Sequence, residues 1–183
     1  MLLRAGAIAA GIVLVGCSPP APAASRGPTN QPAAASFPVI SDWSSLRIRL
    51  ERGACHGFCP VYRVEIRGDG VVTYCGGDFV KERGARTKTI APDSVRSLLD
   101  LFIKADFFDL RDDYLGGVDA PSQKLVLSFD GRTKQVGEIL GESDGMPPIV
   151  KQIGQAIDAV SGATEWVGNE PTYIGAGQEA CVN

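Results

Sequence analysis

The stretch YRVEIRGDGVVTYC, residues 62–75, decides the fold class of this chain. Its first half alternates apolar and charged residues from Tyr62 to Ile66, which is the pattern of a strand with one buried face. The turn-forming run Gly68-Asp69-Gly70 follows, and a second strand-like run then leads to Cys75. A strand, a Gly/Asp turn and another strand predict a β-hairpin, in which the two strands pair antiparallel.

Three further segments continue the strand pattern on either side of this hairpin. Residues 46–50 alternate leucine or isoleucine with charged residues, which predicts a half-buried strand. Another strand is expected within residues 79–90, with an interruption near Gly84. Residues 125–139 contain an apolar alternation, an Asp130-Gly131 turn and a second strand-like run, so they predict a second hairpin.

Two segments have helical periodicity. Pro92 is expected as the first residue of one helix, because the N–H that proline lacks would be unpaired at that position. Its apolar face consists of Val95, Leu98, Leu99, Phe102 and Ile103. Pro148 begins the other helix, whose inner face consists of Ile149, Val150, Ile153, Ile157 and Val160. We therefore predict an α+β domain, in which hairpins build an antiparallel sheet of about four to six strands and two helices pack on one face.

Residues 1–16 resemble a bacterial lipoprotein signal peptide. Arg4 supplies a positive charge, and the uncharged run that follows is too short to span a bilayer comfortably. The run ends in Leu14-Val15-Gly16-Cys17, which resembles the lipobox, whose cysteine is diacylated on sulfur before cleavage. We therefore predict lipidation of Cys17, and by resemblance Ser18 favours the periplasmic face of the outer membrane. The alternative is a short apolar anchor that contains an incidental cysteine.

The chain then divides into a tether, a domain and a tail. Residues 17–38 begin with the lipidated cysteine and are rich in Pro, Ala and Ser, so they predict a partly extended tether. Residues 39–168 have the length and the patterning of a single α+β domain. Residues 169–183 return to Gly, Pro and polar residues, and we expect a disulfide to hold this tail against the domain.

The charge balance limits the class of partner. The chain has 18 basic and 21 acidic residues, for a net charge of −3, and removal of the signal peptide leaves 17 basic residues and a net charge of −4. This modest acidity argues against nucleic acid as a partner. The sequence also contains no polybasic patch that would bind a membrane, so the lipid on Cys17 is the expected membrane contact.

The other four cysteines are interpreted through the oxidising compartment that export implies. Four cysteines allow three connectivities. We predict a disulfide between Cys55 and Cys59, because Gly57 permits the turn that brings their Cα atoms to within about 4.4–6.8 Å of each other. Cys75 and Cys181 then form the second pair, which ties down the C-terminal tail.

A metal or redox role for the same loop is the main alternative. The sequence Cys-x-x-x-Cys-Pro resembles the copper-binding loop of periplasmic thioredoxin-fold chaperones, and thiolates suit Cu(I). The ligands would be Cys55, Cys59 and His56, the last being the one histidine of the chain. The copper site of those chaperones, however, takes a distant histidine as its third ligand. The fold predicted for this chain also lacks the βαβ unit that a thioredoxin fold needs. A zinc site is also disfavoured, because these residues and Cys75 do not have the paired ligand spacing of structural zinc sites.

Two groups of charged residues are further candidates. Five carboxylates could bind Ca²⁺ or supply an acid–base pair, although their spacing does not match the twelve-residue calcium loop and a solvated surface explains them without a ligand. They are Asp106, Asp109, Asp112, Asp113 and Asp119. Four arginines on outward strand faces could meet anionic lipid headgroups or cell-wall polymer. They are Arg47, Arg49, Arg63 and Arg67.

The specific motif of this chain is Cys55-x-Gly57-x-Cys59-Pro60-x-Tyr62. More generic positions accompany it, namely Asp69-Gly70, Tyr74, Phe107, Leu110, Tyr114, Asp119 and Trp166. Together they resemble a family of bacterial domains of unknown function, number 6438, which is often carried on exported or lipid-anchored proteins. The resemblance covers about residues 46–166. It implies an exported bacterial domain, and it supplies no activity, substrate or catalytic residue.

These observations predict a lipid-anchored protein of the cell envelope that acts as a non-catalytic binding or accessory module. Its expected partners are the membrane, through Cys17, and an envelope protein or polymer, and we expect no cofactor. The alternative is a periplasmic thiol site that uses Cys55 and Cys59 for copper binding or redox exchange. A hydrolase that uses the acidic residues is a third and weaker alternative.

Overall fold

The structure is a computed structural model that describes residues 37–114, 116, 120–139 and 145–169. Within these residues the strands are β1 (Arg47–Gly53), β2 (Tyr62–Arg67), β3 (Val71–Gly76), β4 (Gly84–Thr89), β5 (Asp113–Tyr114), β6 (Ser122–Phe129) and β7 (Arg132–Ile139). The helices are α1 (Pro92–Lys104), α2 (Pro148–Ser161) and α3 (Ala163–Val167). Short 3₁₀ turns occupy Trp43–Ser45 and Phe107–Asp109. This order of elements confirms the predicted α+β class.

The strands form one sheet in the order β4-β3-β2-β1-β6-β7-β5. Both predicted hairpins are present, as β2–β3 and β6–β7, and β1 lies between them and pairs antiparallel with β2 and with β6. In the first hairpin, Gly70 has a φ of 86° and donates its N–H to the Arg67 carbonyl at 2.9 Å. Glycine adopts this left-handed conformation without steric cost, so the turn is the one that the sequence indicated.

The sheet is wider than the four to six strands that the sequence predicted. The additional strand β5 is two residues long and pairs parallel with β7, so its position depends on tertiary contacts and not on a local pattern. Strand β4 is also shorter than residues 79–90, because it begins at Gly84. Just before it, Lys81 and Glu82 donate their backbone N–H groups to carbonyls at the end of α3 and not to a strand.

One face of the sheet packs against the helices and forms the core. Along β1, Ile48 and Leu50 are fully buried while the alternate side chains Arg47 and Arg49 are only half-buried. The helices contribute Val95, Leu98, Leu99, Phe102, Val150, Ile153 and Ile157. Burial of each large side chain contributes about 1.5–3 kcal/mol to stability. Ile103, which we placed on the same face, lies at the edge of the apolar stripe and is 40% exposed.

The opposite face, here called the open face, carries charged side chains. Arg49 pairs with Glu65 across β1 and β2 at 3.0 Å, and Glu51 pairs with Lys124 across β1 and β6 at 3.3 Å. The outward orientation predicted for the arginines of β1 is therefore correct, and neighbouring carboxylates partly neutralise them.

No helix within the described ranges is long and apolar enough to cross a lipid bilayer.

Candidate functional site

The cysteine motif forms a covalently closed loop between β1 and β2. A disulfide joins Cys55 and Cys59, whose Cα atoms are 5.6 Å apart. Inside the ring, the N–H of Gly57 donates to the Cys55 carbonyl at 2.9 Å. Phe58 projects from the loop, is 66% exposed, and meets the ring of Phe79 edge-on at 5.5 Å. The loop therefore acts as a constrained turn that leads into β2.

While Cys55 and Cys59 are joined in a disulfide, the loop lacks the thiolates that the copper alternative requires. Cu(I) is bound by thiolates, and the disulfide leaves no thiolate on either cysteine. Throughout the part of the chain that the structure describes, no three His, Cys, Asp or Glu side chains are grouped to hold a metal ion. Cys75 is also in a disulfide. Its predicted partner Cys181 lies outside the described residues, as does Cys17.

The acidic candidates do not converge on one point. Asp112 accepts a hydrogen bond from Lys134 at 2.5 Å, whereas Asp113 begins β5. Asp106 precedes the second 3₁₀ turn and Asp109 is its last residue, and both are exposed to solvent. Asp119 lies outside the described residues. The described carboxylates are therefore a solvated surface, apart from Asp113, which lines the groove described below.

A cluster of polar side chains lies between the sheet and α2, at the end of β1 and β2 that leads into the cysteine loop. Tyr62 donates to Asp158 Oδ1 at 2.7 Å, and Arg52 Nη2 donates to Asp158 Oδ2 at 2.7 Å. Arg52 Nη1 donates to Gln123 Oε1 at 2.7 Å, and Gln123 Nε2 donates in turn to Glu138 at 3.2 Å. We call these five residues the polar cluster. The Arg52 and Asp158 side chains are only 15% and 14% exposed, so the cluster is largely removed from water.

Gly154 lets the polar cluster reach the backbone of α2. A Cβ atom at this position would overlap the side-chain oxygen of Gln123. Because that space is free, Gln123 can also donate from Nε2 to the Val150 carbonyl at 3.3 Å. The cluster therefore connects the end of the sheet to the helix through side-chain and backbone groups together.

Burial and charge shift two pKa values in the polar cluster. Burial raises the pKa of Tyr62 well above its usual value, and the nearby Asp158 carboxylate raises it further. Burial alone would lower the pKa of Arg52, but the same carboxylate outweighs that effect and the net shift is upward. Tyr62 thus stays protonated and Arg52 stays charged at neutral pH, so both act as fixed hydrogen-bond donors.

A groove of about 510 Å³ lies on the open face at the same end of the sheet. Six strands line it, and its charged side chains on the open face are Glu51, Arg63, Asp113 and Lys124. Cavities of roughly 300–1,000 Å³ are typical of small-ligand sites in proteins. The groove therefore has the size of a binding site and presents charges of both signs.

Glycines give the groove its depth. Gly53 and Gly137 occupy positions on β1 and β7 where a side chain would otherwise fill the space above the strands. A Cβ atom on Gly53 would overlap the Ser122 hydroxyl, and one on Gly137 would lie 2.8 Å from Asp113 Oδ1. Any larger residue at either position would displace the groove lining.

Tyr62 belongs to the motif that the sequence singles out, whereas the remaining members of the polar cluster were not predicted. The groove was not predicted either, although Arg63 and Asp113 were among the charged candidates. A signal was present for three members of the polar cluster. Arg52, Gln123 and Glu138 each continue the buried phase of their own strand, so each is a polar residue at an apolar position near a strand end. Asp158 carries no such signal, because its role depends on how α2 packs on the sheet.

Comparison with known proteins adds the family. No curated protein matches the chain. Residues 46–161 match the model of a family described as Domain of unknown function (DUF6438). The match includes the cysteine motif, the whole polar cluster and the charged lining of the groove. Because it spans more than half of the sequence, the chain belongs to this family of domains of unknown function.

Proposed function

We propose that this protein is a lipid-anchored module of the bacterial cell envelope, which binds a partner in the groove without chemical turnover. The observation that carries the proposal is the groove itself, which combines depth, a volume of about 510 Å³ and charges of both signs. Charged groups of both signs at a concave site give specificity for a partner with complementary groups.

The surroundings of the groove favour binding by a preformed surface. Its floor includes β1, which pairs along its whole length with β6 and from Arg47 to Arg52 with β2. Behind that floor, the polar cluster bonds the same strands to α2. A binding surface held in this way loses little conformational entropy when a partner binds.

The anchor is proposed from the lipobox-like sequence that ends at Cys17 and from the tether that follows it. Two or three acyl chains would anchor the protein stably, whereas one chain gives only marginal binding. Cells that express the full chain should incorporate labelled palmitate into it, and Cys17→Ser should abolish the label and release the protein from the membrane fraction. Absence of label in the native protein would show that the anchor is wrong.

The binding role can be tested with the full chain in its own envelope. A photo-crosslinking amino acid is placed at Ser122, which lines the groove, and in a control at Thr133, which is exposed at the other end of the same sheet face. A discrete adduct that forms from position 122 and not from position 133 is expected. The same adduct pattern from both positions would contradict the groove as the binding site.

We also propose that Cys75 pairs with Cys181. Cys75 lines the groove and is in a disulfide, so the proposed pairing would bring the end of the chain close to the site. A crosslink that closes such a long loop contributes about 4–5 kcal/mol in the chain-entropy model. Tryptic mapping without reduction should recover the two peptides as one linked species. Recovery of Cys181 as a free thiol would disprove the pairing.

A further inference from the structure

The charged side chains of the groove lie in one row that crosses the sheet. Arg63 on β2 is the register partner of Glu51 on β1, and Glu51 is the partner of Lys124 on β6. Lys124 is in turn the partner of Gly137 on β7, which pairs with Asp113 on β5. The row therefore contains a positive, a negative and a positive group, then a position without a side chain, and finally a negative group.

The position without a side chain forms a slot between opposite charges. Two strand spacings, about 9–10 Å, separate the backbone of Lys124 from that of Asp113. Gly137 is the floor of the slot, and the Asp113 carboxylate leans over it, as shown by the 2.8 Å distance to a Cβ placed on Gly137. The Lys124 ammonium pairs with Glu51 at 3.3 Å and its side chain is 47% exposed, so it keeps donors for a further anion.

We propose that this slot binds a short peptide that carries both a free carboxylate and a free ammonium group. The carboxylate lies against Lys124 and the ammonium group against Asp113. The gap between the two backbones is about the length of three extended residues, at roughly 3.3–3.6 Å per residue, and the Asp113 carboxylate that leans over Gly137 shortens the distance between the two charged groups. This inference rests on the proposed function and adds the chemical class of the ligand.

Ligands with one kind of charge fit the row less well. A polyanion would meet Glu51 and Asp113, and a polycation would meet Arg63 and Lys124, so each would bring like charges together. A neutral apolar ligand would cover these groups without replacing their contacts with water, which is unfavourable. A zwitterion satisfies both ends of the slot, whose Gly137 floor carries no side chain of its own.

The test uses purified full-length protein and trialanine as the probe, with affinities measured by titration calorimetry. Trialanine should bind saturably at millimolar concentrations. N-acetyl-trialanine and trialanine amide should each bind about tenfold more weakly, because each loses a hydrogen bond between charged groups. Lys124→Gln should make trialanine and its amide bind alike, and Asp113→Asn should make trialanine and its acetyl form bind alike.

Two controls separate selectivity from misfolding. Asp109→Asn changes an exposed carboxylate outside the groove and should keep the full discrimination between the three peptides. Thermal melts of the Lys124 and Asp113 variants should match that of the parent, because both side chains are exposed. Equal affinity for all three peptides, no saturable binding, or inorganic phosphate binding as tightly as trialanine would overturn the inference.

The outcome also separates this inference from the proposed function. If position 122 forms its adduct in the envelope and trialanine does not bind, the ligand class is wrong and the groove remains the binding site. If trialanine binds with the expected selectivity and position 122 forms no adduct, the zwitterion site stands and the envelope role of the groove is wrong.

Discussion

The two faces of the sheet hold ion pairs at the same end in opposite environments. On the helix-covered face, Arg52 and Asp158 are bonded at 2.7 Å and their side chains are about 15% exposed. On the open face, Glu51 and Lys124 pair at 3.3 Å with 33% and 47% of their side chains exposed. Glu51 and Arg52 are consecutive residues of β1. Strand alternation thus places one charge in a buried cluster and the next charge on the open face.

This difference in exposure determines what each pair can contribute. A buried charge has already lost its solvating water on folding. If its partner is removed as well, the charge is left without any compensation, which destabilises the folded protein. Exposed pairs contribute about 0–1 kcal/mol and are screened by salt. The charged side chains of the open face can therefore give up their ion pairs to contact a ligand at little cost in stability, whereas those of the polar cluster cannot. Substitutions on the two faces should differ several-fold in their effect on stability.

The largest effect is expected for Asp158→Ala. The substitution removes the acceptor of both Arg52 and Tyr62, and it leaves a guanidinium charge that is only 15% exposed without its partner. Breaking a buried pair in this way costs about 3–5 kcal/mol in the free energy of unfolding. Urea denaturation measures the change, with Asp109→Ala as an exposed control. A loss below about 1 kcal/mol would place the cluster with the weak surface pairs.

A smaller effect, confined to one of two neighbouring tyrosines, is expected for Tyr→Phe substitutions. Tyr62 donates to Asp158, so Tyr62→Phe should cost about 1.5–3 kcal/mol in the free energy of unfolding. Tyr74 packs beside it with ring centroids 5.8 Å apart, yet the structure places no partner for its buried hydroxyl among the described residues. Tyr74→Phe should therefore be neutral or stabilising. Equal losses for the two variants in urea denaturation would contradict this assignment.

The same two tyrosines should make the protein sensitive to alkali. Burial raises the pKa of Tyr74 to about 12, and burial together with Asp158 raises that of Tyr62. An unfolded tyrosine loses its proton near pH 10, so above that pH the unfolded state binds fewer protons than the folded state. The stabilising contribution is thus complete below pH 10 and declines as pH rises, by at most about 1.4 kcal/mol per pH unit for each group.

Urea midpoints measured between pH 9 and the onset of general alkaline unfolding test this expectation. The variant that carries both Tyr62→Phe and Tyr74→Phe should lose stability with pH less steeply than the parent. Parallel slopes for the two proteins would show that neither phenol is perturbed.

The smallest effect is expected for Glu51→Gln on the open face. The change breaks the exposed pairs with Lys124 and Arg49, and the cost should be below about 1 kcal/mol and should shrink further as salt is added. Urea denaturation of the parent and the variant at low and high ionic strength measures both the loss of stability and its dependence on salt. A salt-independent loss of several kcal/mol would mean that the open-face row is structural and not available to a ligand.

Features that depend on local pattern were predictable from the sequence. The alternation in residues 62–75 and the Gly/Asp turn define the first hairpin, and prolines 92 and 148 begin both long helices as expected. Strand β5 was not predictable, because two residues have no periodicity and their pairing with β7 is non-local. The row across the groove was not predictable for a related reason: it depends on the register of five strands from two separate parts of the chain, residues 47–67 and 113–139.

The polar cluster shows the limit of the apolar pattern. Arg52 follows Ile48 and Leu50 in the buried phase of β1, and the alternation gives no reason to expect a charge there. Its counterpart Asp158 is more than one hundred residues away in the chain. Only the packing of α2 on the sheet brings the two groups together. The pattern of β1 could therefore show that Arg52 is an unusual residue at a buried position, but it could not identify Asp158 as its partner.

The position of β1 between the two hairpins also constrains the order in which the protein can fold. Each hairpin joins residues that are close in the chain, and such structures form within microseconds. Strand β1 meets β6 only after a loop of about seventy residues between Gly53 and Ser122 has closed, and contacts of such long range form slowly. When the chain emerges N-terminus first during synthesis, the central strand β1 therefore keeps one unpaired edge until β6 has been made. During that interval the unpaired edge can associate with other chains.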